Sequence, residues 1–171
     1  SATGESVDGF AAALALGGGL NDASIWVSVG DATTGQENAG ASTVLSASRQ
    51  DFLGGTNGFA SLCLAYGVTL GLSAGDPSTS PVAFTRGILT GTNGRWDPAA
   101  GPYRDDGGHI VFLGGNVQFY RSLGASDAAG ELVGTDGGRT WDIRNTVKDS
   151  RKMTQELING ASGAVSPGTG T

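Results

Sequence analysis

Apolar side chains recur along this chain with two different periods, and each period predicts an element. Val7, Phe10, Ala11 and Leu14 fall at i, i+3, i+4 and i+7, one stripe of an amphipathic helix. Ser6 stands where an N-cap belongs, Asp8 lies in the first turn where a carboxylate suits the macrodipole, and Gly17, Gly18 and Gly19 end the pattern. Gly9 inside it costs ~1 kcal/mol relative to Ala. In residues 24–31, Ile25, Val27 and Val29 alternate with Trp26 and Ser28, the period of a strand. Residues 59–73 are apolar on both phases, which predicts a central strand covered on both faces, with Gly67 and Gly71 marking a bulge or a bend. A further strand is expected over 82–89, after a loop set by Pro77 and Pro81. A late one is expected where Thr140, Asp142 and Arg144 alternate with Trp141 and Ile143. The helical period returns at Val147, Ser150, Met153, Thr154, Leu157 and Ile158, a second small helix capped by Thr146 and ended by Asn159 and Gly160. Residues 31–50, 91–108 and 124–132 read as loops, the first of them as a surface loop.

The passage that specifies its own structure most fully is 106–121, DGGHIVFLGGNVQFYR. Gly114 and Gly115 lie between two runs rich in β-branched and aromatic residues, the signal of a two-residue hairpin turn in which glycine supplies positive φ. That turn sets Phe112 opposite Val117, Val111 opposite Gln118, Ile110 opposite Phe119 and His109 opposite Tyr120. Ile110, Phe112, Val117 and Phe119 then share one face. Burying each of those side chains contributes roughly 1.5–3 kcal/mol before ordering costs. A lone hairpin with so apolar a face is not stable in water, so other elements must cover it.

A Gly-rich approach, a strand of the form IVFL, a tight turn and then NVQFY resembles the closing hairpin of bacterial type IV pilin-like proteins. More narrowly it resembles that of type II secretion pseudopilins and of the related family named for an H-x9-DG motif, where the hairpin often reads VLFxDGHVxF. Gly114, Gly115 and Asn116 stand where that family has Asp-Gly-His. SIWVSVGD (24–31) resembles the strand that follows the helix in those proteins, and GLSAGDPSTSPVAFTRG (71–87) the segment before the hairpin. The three pieces come in the family's order. The resemblance implies an α+β head, with an N-terminal helix packed on a twisted antiparallel β-sheet. It implies a non-enzymatic subunit of a pilus or secretion pseudopilus, with other pilin-like subunits and the secretion or pilus machinery as partners. The implied place is the cell envelope, periplasmic or extracellular, reached through an N-terminal hydrophobic helix that anchors and polymerises such subunits. The chain opens on Ser rather than Met, which predicts a processed product or a trimmed piece of a longer chain.

Composition narrows the classes. With 171 residues, 38% hydrophobic and 15% charged, the chain suits one domain over 1–171 that buries a real core, with 1–5 and 160–171 expected to be flexible. Its 31 glycines favour many turns and short strands. A net charge of −6 argues against nucleic acid as a partner and fits a mainly monomeric, mutually repelling head. The single cysteine, Cys63, excludes an internal disulfide and lies in an apolar run, so a buried thiol is expected. No run of ~20 apolar residues is present, so membrane contact is expected only through the hydrophobic helix that the resemblance implies.

The search for chemistry ends with no catalytic, cofactor-binding or metal residue assigned. A triad or His-rich metal site would depend wholly on the one histidine, His109, which reads as a structural strand residue. No G-x-S-x-G elbow and no P-loop occurs. Asp105 and Asp106 are the densest acidic spot, in a loop where adjacent carboxylates are ordinarily solvated. No cofactor is expected; the resemblance raises calcium as the one alternative, since major pseudopilins hold it in a loop of their C-terminal region. Asp127, Glu131 and Asp136 lie in such a loop but match no EF-hand spacing. Trp96, Tyr103 and Trp141 are either an aromatic platform for sugars or plugs in the core. The platform would make the chain a secreted carbohydrate- or mucin-binding module, the alternative function.

Overall fold

The computed structural model describes residues 6–28, 31, 41–47, 58–59, 62–89, 94–125, 130–148, 151–157 and 161–165. Helix α1 (Val7–Gly18) forms as its apolar stripe requires. Ser6, extended at φ −127°, accepts a hydrogen bond from the Gly9 N–H at 3.1 Å, and Gly19 closes the helix in the left-handed region at φ +72°.

The strands are β1 (Tyr66–Leu70), β2 (Pro81–Thr85), β3 (Gly108–Phe112), β4 (Val117–Tyr120), β5 (Leu132–Val133), β6 (Arg139–Thr140), β7 (Lys152–Leu157) and β8 (Ala161–Val165). Six of them build one antiparallel sheet in the order β4-β3-β2-β1-β7-β8, and β5 pairs with β6 in a separate ribbon. The expected α+β class, one N-terminal helix with an antiparallel sheet, is present.

Pairing fixes which side chain faces which layer. Val68 lies opposite Ala83 and Thr154, while Gly67 lies opposite Phe84 and Thr69 opposite Met153. Val68 and Ala83 join the cluster made with α1, Trp26, Val44, Leu45 and Phe59. Phe84, Ile110 and Met153 join a second cluster on the other face, with Trp96, Leu123, Leu132 and Ile143. The centre of the sheet is therefore covered on both sides, and β1 is central as expected. Gly67 marks neither a bulge nor a bend: a Cβ there would enter the Phe84 ring and press on the Thr154 carbonyl.

Several expectations are corrected. The small C-terminal helix is absent: Lys152–Leu157 is a strand between β1 and β8. The 160–171 tail, expected to be flexible, contributes Ala161–Val165 as β8, paired along its length with β7. Of the strand expected over 24–31, Ser24–Trp26 is instead a turn of 3-10 helix, with Trp26 buried and Ile25 exposed, and residues 29–30 lie outside the described residues. The late strand shortens to Arg139–Thr140, and Ile143–Thr146 turns into a second 3-10 segment capped by Asp142. Within the expected 31–50 surface loop, Asp31, Val44 and Leu45 are buried. Residues 1–5, also expected to be flexible, lie outside the described residues.

The hairpin is shifted by one residue from the expected register. Gly108 faces Tyr120, His109 faces Phe119, Ile110 faces Gln118 and Val111 faces Val117. The connection is a three-residue loop, Leu113 to Gly115, in which the Gly115 N–H donates to the Phe112 carbonyl at 2.8 Å and Gly115 alone has positive φ, +88°. The preceding loop selects this geometry: the Leu113 and Gly114 N–H groups donate to the carbonyls of Ser80 and Ser78, each at 2.8 Å. One residue of slip moves every β4 side chain to the opposite face. Val117 and Phe119 therefore lie outside, and Tyr120 takes the buried position beside Ile110 and Phe112.

An ion cluster around the buried Asp76 carboxylate ties the 71–80 loop to the start of β7. The Asp76 carboxylate accepts from the Ser73 N–H at 2.7 Å and from Arg151 at 2.9 Å, with Lys148 at 3.5 Å. The Ser73 N–H, aided by Arg151 and the Ser73 hydroxyl, holds its pKa down at about 2 against the upward pull of burial. Because the folded value lies below the ~3.9 of an unfolded aspartate, this stabilisation is complete above that value and is lost as pH falls toward 2. Asp76→Asn should flatten that part of the acid limb of stability, read from urea midpoints between pH 5 and 2.5. An unchanged slope would remove Asp76 as its source.

Candidate functional site

A twelve-residue helix about 10 Å wide can roof only two or three strands spaced ~4.8 Å apart. Helix α1 packs on β1 and β7. The same face of the sheet runs on across β2 to β3 and β4, where among the described residues no helix like α1 lies over it. There His109 is exposed, Val117 is 60% exposed and Phe119 44% exposed. The His109 ring meets Phe119 edge-on at 5.0 Å and Tyr103 at 6.0 Å, so Tyr103, His109, Phe119 and Val117 form a largely aromatic strip. β4 is also the end strand of the sheet. This strip is the candidate site, an exposed aromatic surface suited to contact.

Just after β2 lies Arg86, whose side chain is fully buried. Its Nη2 pairs with the Asp31 carboxylate at 2.6 Å, Nη1 donates to the Leu64 carbonyl at 2.8 Å and to Cys63 Sγ at 3.0 Å, and Nε donates to the Ala100 carbonyl at 2.8 Å. One guanidinium thus joins four separate chain segments. Cys63 is half-buried rather than fully enclosed. The local pattern hides this arrangement, because a charged residue just after an apolar strand reads as a surface residue.

The other sequence candidates are dispersed. His109 faces Phe119 rather than Tyr120, and its ring meets those of Phe119 and Tyr103. Asp105 and Asp106 are exposed in the loop before β3. Asp127 lies outside the described residues, Glu131 is exposed, and Asp136 accepts from the Gly138 N–H at 2.8 Å within its own turn. Among the described residues no three His, Cys, Asp or Glu side chains gather as a metal site would need. Trp96 is buried against the sheet and donates from Nε1 to the Thr85 carbonyl at 3.1 Å, and Trp141 packs on the same core cluster. Of the aromatic platform expected from the sequence, Trp96 is buried, Trp141 is half-buried and Tyr103 alone is exposed. A polar depression of about 370 Å³ lies between Thr135, Asp136, Arg139 and Arg144, but Asp142 already holds Arg144 through two of its nitrogens.

No protein-family model matches the chain, and neither a curated protein nor a solved structure matches it significantly. No helix among the described residues is long and apolar enough to cross a membrane.

Proposed function

We propose that this chain is the soluble head of a type IV pilin-like or type II secretion pseudopilus subunit, whose work is assembly rather than catalysis. The observation that supports the reading best is the placement of α1: an N-terminal helix lies along the centre of an antiparallel sheet, with a glycine-turned hairpin at the sheet's end. The resemblance draws support from this helix on an antiparallel sheet, while the strand it implies after the helix is instead a turn of 3-10 helix at Ser24–Trp26. Its partners are then other pilin-like subunits, and its location is the cell envelope. In such a subunit the anchoring helix supplies the long apolar surface that drives polymerisation, while the head presents loops and edges. The extended backbone of Ser6 means that an anchoring helix would join α1 through a bend rather than run straight into it. The test is to follow the tagged full-length gene product into sheared surface filaments.

A further inference from the structure

The open edge of β4 carries the means of its own pairing. The Phe112 N–H donates to the Asn116 carbonyl at 2.9 Å, so the residues bonded to β3 are the even ones: Asn116, Gln118 and Tyr120. The backbone groups of Val117 and Phe119 consequently point away from the sheet, along an edge that among the described residues has no further strand beyond it. Natural edges are usually guarded by a lysine, a proline or a bulge. Val117–Tyr120 carries no charged side chain and no proline, and its pairing with β3 is regular throughout.

We propose that this edge receives the same edge of a second copy, antiparallel, about a two-fold axis through Gln118. In that register Val117 lies opposite the second copy's Phe119 and exchanges both backbone hydrogen bonds with it. The symmetric pair does the same, giving four in all, and Gln118 faces its own equivalent. The exposed strip becomes continuous across the axis, with each Phe119 ring set between its own His109 and the other Val117. Charge does not oppose the approach, although the chain carries −6, because the nearest charge on the strand, Arg121, falls opposite Gly115. A peptide of a different chain could satisfy the same donors, but only a second copy is bound to present Val117 and Phe119 in matching order. A four-residue edge buries far less than the ~1,200 Å² at the lower end of stable interfaces, so the contact is weak and the chain stays mainly monomeric at micromolar concentration.

The register is tested by oxidative cross-linking of the 171-residue chain at about millimolar concentration in a Cys63→Ser background. Gln118→Cys places two thiols on a facing pair ~4.5–5.5 Å apart at Cβ, within disulfide reach, and should dimerise at least about tenfold faster than Asp105→Cys on an exposed loop. Val117→Cys, whose equivalent is displaced along the strand, should stay near the control rate. Adding Phe119→Lys to Gln118→Cys should abolish the acceleration, with folding of each variant checked by circular dichroism. The proposal is overturned if Gln118→Cys reacts at the control rate, or if Val117→Cys and Gln118→Cys react equally, which is collision without register. It also fails if the edge is protected only by an added extended peptide, which would assign it to a different chain.

Discussion

Replacing Arg86 with alanine should cost about 3–5 kcal/mol, because it removes a fully buried cation that is paired with the buried Asp31 carboxylate. The Asp31 side chain is 4% exposed and sits 2.6 Å from the guanidinium. The carbonyls of Leu64 and Ala100 lose a donor at the same time. With a urea m-value of ~1–3 kcal/mol/M, the unfolding midpoint should fall by more than about 1 M. Asp31→Asn, which keeps an acceptor near Nη2, should cost less. Joining Arg86→Met to Asp31→Leu should cost less than the sum of the two single changes, since replacing both members of a buried pair removes the desolvated charge altogether. A strictly additive double variant, or an Arg86→Ala loss below about 1 kcal/mol, would mean that the pair does not hold these segments together.

The second large effect separates the two faces of the hairpin. Phe112→Ala and Ile110→Ala should each cost on the order of 2–5 kcal/mol, as truncations of side chains inside the core cluster. Phe119→Ala should cost about 1 kcal/mol or less, because its ring lies on the open strip. A two-residue turn at Gly114 and Gly115 would instead put Phe119 on the same buried face as Phe112 and make the two losses equal. Chemical denaturation of the three variants decides between the registers, and equal losses for Phe112 and Phe119 would contradict the three-residue loop.

That contrast shows what the sequence could carry. The strands of the hairpin were legible, since Ile110, Val111 and Phe112 and then Val117, Phe119 and Tyr120 have no better use than a sheet. Their register was not. Gly114 and Gly115 suit a two-residue turn and a three-residue loop equally, and the choice is made by carbonyls of Ser78 and Ser80, more than thirty positions away. Helix α1 was legible because cap, stripe and glycine stop agree. β7 was misread for the opposite reason: Lys152, Met153, Gln155, Glu156 and Leu157 are good helix formers, and tertiary pairing with β1 overrides that preference. Met153 and Thr154, neighbours on opposite faces, are both buried because β7 has cover on each side, a fact that exists only once the sheet is assembled. The candidate site was hidden by the same slip of register that exposed Phe119. Arg86 was hidden because Asp31 lies fifty-five positions from it.

The proposal that this chain is the head of a filament subunit is tested most directly by finding where the full-length protein goes. The epitope-tagged product of its whole gene, expressed in its native host, should be recovered with surface filaments or pseudopili after shearing and high-speed sedimentation. Deleting the ~20 apolar residues that anchor such subunits should leave the head out of that pellet and monomeric in the supernatant. A full-length product that has no such segment, or that stays out of every filament fraction while the cells assemble filaments normally, would contradict the account.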